Sequence, residues 1–143
     1  LGSQEPQWVD LQSVISKLHI PDSIHFIKDI ADISIFADLM IQKVFFTLLD
    51  NSIRHGQKVT EIRIFTKEIK GGIVVIWEDN GLGIAYDEKE EIFGKGFGKN
   101  TGFGLFLAQE ILNLTDICIK ETGIPGDGAR FEIFILPDGW KKS

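Results

Sequence analysis

The 143 residues are 43% hydrophobic and 25% charged, the balance of one globular domain able to bury most of the surface its unfolded chain exposes. Twenty-one acids against 15 bases, a net charge of −6, argue against nucleic acid as a partner, because phosphate-backbone affinity needs an excess of Lys and Arg. No apolar run approaches the roughly 18 residues of a membrane span, a lone Cys118 excludes an internal disulfide or a cysteine metal cluster, and the opening Leu1, with no initiator Met, suggests a fragment of something longer.

In chain order, apolar residues at helical spacing from Trp8 to Leu18 predict a first helix, broken by Pro21 and Asp22. Ile24 to Ile30 and Ile33 to Phe36 are short runs suited to strands flanking a turn. Asp38 then opens a long helical pattern, with Leu39, Ile41, Val44, Phe45, Leu48, Leu49 and Ser52 in one arc and Gly56 as its C-terminal stop. Thr60 to Thr66 and Gly72 to Trp77 read as a hairpin around Gly71-Gly72. A third helix from about Phe103 to Leu114 precedes strands near Ile117 to Glu121 and Ala129 to Leu136. Cys118, in the apolar stretch TDICIK, reads as a buried thiol in a reducing compartment. No repeat, low-complexity tract or linker divides residues 1–143, so the expectation is a single α+β domain with strands paired as hairpins.

Three features carry chemistry. Five glycines fall within residues 94–104, GKGFGKNTGFG, with Lys95 and Lys99 between them, directly ahead of the third helix. Glycine lets backbone N–H groups approach phosphate oxygens at a helix N-terminus, and the lysines add positive charge; a flexible surface loop is the alternative. On the long helix, Thr47, Asn51 and Arg54 border the apolar arc with His55 just inside it, either as a polar seam beside a ligand or as an ordinary amphipathic boundary. Of the residues one turn from Arg54, only Asp50 could pair with it, and Asp50 is placed pointing away from the seam. Finally, the β-branched run Ile73 to Ile76 leads into Glu78-Asp79-Asn80-Gly81-Leu82-Gly83. Asp followed by Gly is most often a turn, but a carboxylate at a rigid strand end can also accept a hydrogen bond from an exocyclic amine, with glycines letting a flat ring lie against the backbone.

These residues together resemble the ATP-binding catalytic domain of sensor histidine kinases, within the GHKL superfamily of ATPases and kinases, over nearly the whole chain. TLLDNSIRH is similar to the family's asparagine box NLLxNAxKY, which implies that Asn51 is the magnesium ligand and that Arg54 and His55 contact nucleotide. Asp79 to Gly83 matches the DxGxG box, with Asp79 receiving the adenine amino group and Gly81 and Gly83 beside it. Glu91-Ile92-Phe93 through Phe97 resembles the phenylalanine box, and Gly102-Phe103-Gly104-Leu105 the GxGL box, with a mobile ATP lid between them. Gly126 to Phe131 is similar to the turn into the family's last strand. The resemblance implies a two-layer sandwich of the Bergerat type, in which about three helices cover one face of a mixed, largely antiparallel sheet of about five strands.

The departures matter as well. Thr47 stands where many histidine kinases place a first asparagine, and where hydrolytic relatives such as gyrases, mismatch-repair proteins and heat-shock chaperones carry a glutamate. Threonine cannot act as that general base, so transfer to another nucleophile is preferred over fast hydrolysis. Phe106 replaces a glycine often seen in GLGL, at a position already inside a helix.

Phosphoryl transfer asks for positioning and charge. Mg²⁺ would be held by Asn51 and the phosphates, while Arg54, Lys95 and Lys99 offset phosphate charge and N–H groups from Gly102 to Leu105 cap the ligand. None of His19, His25 or His55 resembles a phosphoacceptor site. The expected partners are therefore a helical dimerisation and phosphoacceptor domain, with the histidine, just upstream in the same polypeptide, and a response regulator acting later, the expected location being the cytoplasm, as the cytoplasmic part of a sensor that can be membrane-bound. A protein-serine kinase of the anti-sigma type and a non-catalytic nucleotide-binding module remain the alternatives. Residues 94–101, rich in glycine, are expected to be mobile without nucleotide.

Overall fold

The computed structural model describes residues 5–55, 58–94 and 104–143. Its larger sheet has five strands, β2 (His25–Asp29), β4 (Glu61–Ile69), β5 (Gly72–Asp79), β6 (Cys118–Glu121) and β7 (Arg130–Ile135), in the order β2-β4-β5-β7-β6. The hairpin at Gly71-Gly72 forms as expected, with β4 and β5 antiparallel and Ile69 opposite Gly72. Gly72 has φ +147°, and an added Cβ would lie 1.9 Å from the Ile135 carbonyl oxygen of the next strand, so only glycine fits. The strands are not all joined as hairpins: β2 runs parallel to β4, which makes the sheet mixed.

A second sheet of three strands, β1 (Gln7–Asp10), β3 (Ile33–Ala37) and β8 (Trp140–Lys142), is ordered β1-β3-β8. Two expectations are corrected here. The helix read from Trp8 begins only after residue 10, because Trp8 to Asp10 pair with β3 instead and Trp8 packs on Phe36 with ring centroids 5.3 Å apart. Asp10 closes that strand and caps α1 (Leu11–Ser16), its Oδ2 accepting from the Ser13 N–H at 3.0 Å. The runs at 24–30 and 33–36 are strands on either side of a short connection, but they join different sheets instead of pairing as a hairpin.

The long helix α2 (Ile41–His55) starts two residues after Leu39, which the expected arc included but which is exposed, and Gly56, its expected stop, lies outside the described residues. The buried Asp38 precedes it, with Oδ1 accepting from Met40 N–H at 2.8 Å. Ile41, Val44, Phe45, Leu48 and Leu49 are buried and meet Leu11, Val14 and Ile15 of α1 and Leu105, Ala108, Ile111 and Leu112 of α3 (Gly104–Asn113) in one core. The sheet contributes alternate residues to that core, Ile62 and Ile64 of β4, Ile73, Val75 and Trp77 of β5, and Phe131, Ile133 and Ile135 of β7. Three helices on one sheet face thus give the expected α+β architecture. Cys118 departs from expectation. Its strand alternates exposed and buried, so Ile119 and Glu121 point inward and the thiol is exposed.

Candidate functional site

Asp79 is the last residue of the central strand β5 and is 8% exposed. Its Oδ1 accepts from the N–H groups of Gly81 at 2.9 Å and Ala129 at 3.1 Å, and its Oδ2 from the Ser52 hydroxyl at 2.8 Å. A carboxylate offers about four acceptor positions. Among the described residues three are taken, which fixes the group and leaves one. The Asn80 amide staples the neighbouring strand, accepting from Thr60 and Glu61 N–H groups at 2.9 and 3.0 Å and donating to Thr60 Oγ1 at 2.8 Å.

Of the glycines expected beside Asp79, Gly81 bonds its carboxylate and Gly83 is held by close backbone contact. Gly83 has φ +77°, and a Cβ there would come within 2.8 Å of the Gly128 carbonyl oxygen. Across the loop, Gly126 N–H donates to Leu82 O at 2.7 Å and Asp79 N–H to Ala129 O at 3.0 Å. The 79–83 turn and the 122–130 loop therefore brace each other, backbone against backbone.

Asn51 lies on α2, one residue before Ser52, and is half-buried. Its Nδ2 donates to Thr47 O at 3.1 Å, one turn back, so Oδ1 is the atom left to face a ligand. Thr47, Asp50, Asn51 and Gly104, the first residue of α3, line a cleft of about 520 Å³ that also takes in Met40 and Phe46. Asp79 lines a separate hollow of about 490 Å³ with Gly123, Gly128 and Ala129. Ser52, next to Asn51, lines neither; buried, its hydroxyl ties the Asp79 carboxylate to α2.

Asp50 corrects the sequence reading. Rather than pointing away from the seam, it lines the cleft, and its Oδ1 accepts from Arg54 Nε at 2.8 Å in a half-exposed i,i+4 pair. Arg54 is exposed on the same helix. The backbone of His55 closes α2. Leu105 is buried in the first turn of α3. Lys95, Lys99, Gly102 and Phe103 lie outside the described residues, as does Phe97, and with them the expectation of a mobile segment. The phenylalanine box is represented by Phe93, buried and edge-on to Phe131 at 6.4 Å.

Sequence reasoning missed the groups that hold Asp79. Ser52 is 1% exposed and also accepts from Trp77 Nε1 at 3.1 Å, giving a buried chain from indole to hydroxyl to carboxylate. Its one available signal was a hydroxyl within the apolar arc of α2. Among the described residues no group of three His, Cys, Asp or Glu could hold a metal, so a cation here would rest on an amide oxygen and on the ligand. A hard ion that retains waters suits such a site.

A family profile described as histidine kinase-, DNA gyrase B-, and HSP90-like ATPase matches residues 37–139. The alginate biosynthesis sensor protein KinB of Pseudomonas aeruginosa is 32% identical over 103 residues, 68% of this chain and 17% of its own length. The signal transduction histidine-protein kinase AtoS of Escherichia coli is 33% identical over 102 residues, again 68% of this chain and 17% of its own. The chain thus spans less than a fifth of these two relatives. Among solved structures, the mycobacterial sensor histidine kinase MprB superposes with a TM-score of 0.80 at 16% identity, covering 92% of this chain and 97% of that one. Full-length ShkA in complex with AMPPNP gives 0.76 at 19% identity, over 95% of this chain and 33% of that one. The chain belongs to the family of histidine kinase-, DNA gyrase B- and HSP90-like ATPases, as an ATP-binding domain of the sensor histidine kinase kind.

Proposed function

We propose that the chain is the catalytic part of a two-component sensor kinase, binding Mg-ATP and passing its γ-phosphoryl group to a histidine on a separate helical dimerisation and phosphoacceptor domain. The observation that carries this is the buried Asp79 carboxylate, with one acceptor position unfilled among the described residues, tied through Ser52 to the helix that presents Asn51. An adenine amino group supplies the missing donor, whereas the carbonyl at the same position of guanine would face the carboxylate with a second acceptor.

Asn51 Oδ1 is the protein atom that would hold Mg²⁺, which when bound offsets phosphate charge. The chain's own part is orientation. Asp79 fixes the base, and Gly104 places the start of α3, whose first N–H groups have no partner within the helix itself, at the end of the Asn51 cleft. Thr47 has no group able to deprotonate water, and Asp50 is engaged by Arg54. Transfer therefore awaits an external nucleophile: an imidazole nitrogen bonds to the γ-phosphorus as the bond to the bridging oxygen breaks and ADP leaves. The name of the relative AtoS, a histidine-protein kinase, favours a histidine over a serine hydroxyl as that acceptor. A response regulator then takes the phosphoryl group, and the reaction is placed in the cytoplasm.

Calorimetric titration with ATP, ADP and GTP, with and without Mg²⁺, tests the reading. Asp79→Asn keeps an oxygen for the Gly81 and Ala129 N–H groups but turns an NH₂ toward the base. Losing a hydrogen bond to a charged group costs about 1.5–3 kcal/mol, a weakening of roughly 10- to 150-fold. Asn51→Ala should abolish the magnesium dependence. Unchanged ATP affinity in Asp79→Asn, or equal affinity for GTP, would overturn the assignment.

A further inference from the structure

Outside the nucleotide-contacting residues, one buried ion pair stands where an apolar contact would serve the core equally well. Glu121 closes β6 with its side chain wholly buried, and Lys89, 16% exposed, reaches it from the segment between the Asp79 turn and Gly94. Lys89 Nζ donates to Glu121 Oε1 and, at 2.8 Å, to Gly123 O. Glu121 Oε2 accepts from the N–H groups of Gly123 and Arg130, each at 3.0 Å. Gly123 must be glycine, since a Cβ would meet Glu121 Oε2 at 2.8 Å and Gly128 O at 2.4 Å.

Buried ion pairs add little net stability over apolar side chains of like volume, because desolvation consumes the attraction. What this pair supplies is geometry. Arg130 follows Ala129, whose N–H and carbonyl both engage Asp79. Glu121 is thus two hydrogen bonds from the Asp79 carboxylate, and Lys89 fastens the 84–94 segment to the same point. Resting on the nucleotide site proposed above, we infer that the Lys89–Glu121 pair is a clamp that positions the base-reading carboxylate, so that Lys89 and Glu121 set adenine-nucleotide affinity without touching the nucleotide.

The test is calorimetric titration of AMP, ADP and ATP into wild type and variants, at a temperature where circular dichroism shows each to be folded. Lys89→Met leaves Glu121 buried and unpaired, which endangers folding. The decisive variant is therefore the double substitution Lys89→Met/Glu121→Gln, which removes both charges and keeps an oxygen for the Gly123 N–H. A clamp on the base pocket predicts that it binds all three nucleotides at least tenfold more weakly, by a similar factor for each, while Lys89→Arg stays within threefold of wild type. Affinity within twofold of wild type in the folded double variant overturns the clamp. So does a loss that grows with the number of phosphates, a failure of Lys89→Arg to restore binding, or a double variant that cannot fold, which would make the pair a global support. A wild-type chain that binds no adenine nucleotide instead removes the underlying nucleotide-site reading, so the two failures are distinct.

Discussion

Replacing Ser52 by Ala strips a buried hydroxyl from two partners at once. The 2.8 Å hydrogen bond to Asp79 Oδ2 has a charged acceptor and is worth about 1.5–3 kcal/mol. The Trp77 indole N–H, fully buried and 3.1 Å from Ser52 Oγ, is left without a partner at about 1–3 kcal/mol. Against this, Ala gains about 0.5 kcal/mol in helix propensity at a position inside α2. The net loss is about 2–5.5 kcal/mol, which for a domain of this size lowers the thermal midpoint by roughly 5–20 °C. Urea unfolding followed by Trp fluorescence measures it directly, since Trp77 sits at the perturbed point. Trp77→Phe removes the indole donor beforehand, so in that background Ser52→Ala should cost at least about 1 kcal/mol less. A loss below about 0.5 kcal/mol, or strict additivity of the two substitutions, would refute a continuous relay from indole to carboxylate.

Two other outcomes follow from backbone and surface geometry. Gly128→Ala places a Cβ 1.8 Å from Asp79 O at φ +135°, and should cost about 3 kcal/mol or more in chemical denaturation, whereas Gly126→Ala, with φ +92° and open space around its Cβ, should cost about 1–2 kcal/mol; equal losses at the two sites would argue against the close approach of the loops. Hydrogen bonds from Ser143 and then Ser13 hold the Asp10 carboxyl below its ordinary value of 3.8. A depressed folded-state value means stabilisation that is present above the unfolded value and is lost as pH falls through the folded one. The difference in thermal midpoint between wild type and Asp10→Asn should therefore close on acidification from pH 6 toward pH 3, and a difference independent of pH would contradict this role.

Elements set by local pattern were readable in the amino-acid order. The arc from Ile41 to Ser52 and the glycine pair at 71–72 each encode their structure within a few residues, and α2 and the β4–β5 hairpin form where expected. Elements set by distant partners were not. Trp8 and Val9 fit a helical spacing and become a strand only because Phe36 and Ile35 lie opposite, while β8 has three residues and no meaning apart from β3. Cys118 was legible in principle, since alternation with Ile117 and Ile119 turns its thiol outward. At the candidate site, Asp79, Asn51 and the glycines announce themselves through spacing, but the groups that orient them do not. Ser52 meets Asp79 across 27 positions and Lys89 meets Glu121 across 32, and neither separation leaves a periodic trace.

The three-stranded sheet has a mechanical consequence. β1 and β8 flank β3 and run antiparallel to it, with four residue pairs on one side and three on the other. Inter-strand hydrogen bonds lie across the strand axis, so tension drawn lengthwise through β1 loads its rungs together in shear rather than opening them singly. The strand carrying Asp79 belongs to the other sheet. A lengthwise pull on β1 is thereby borne first by β3, outside the sheet that carries Asp79.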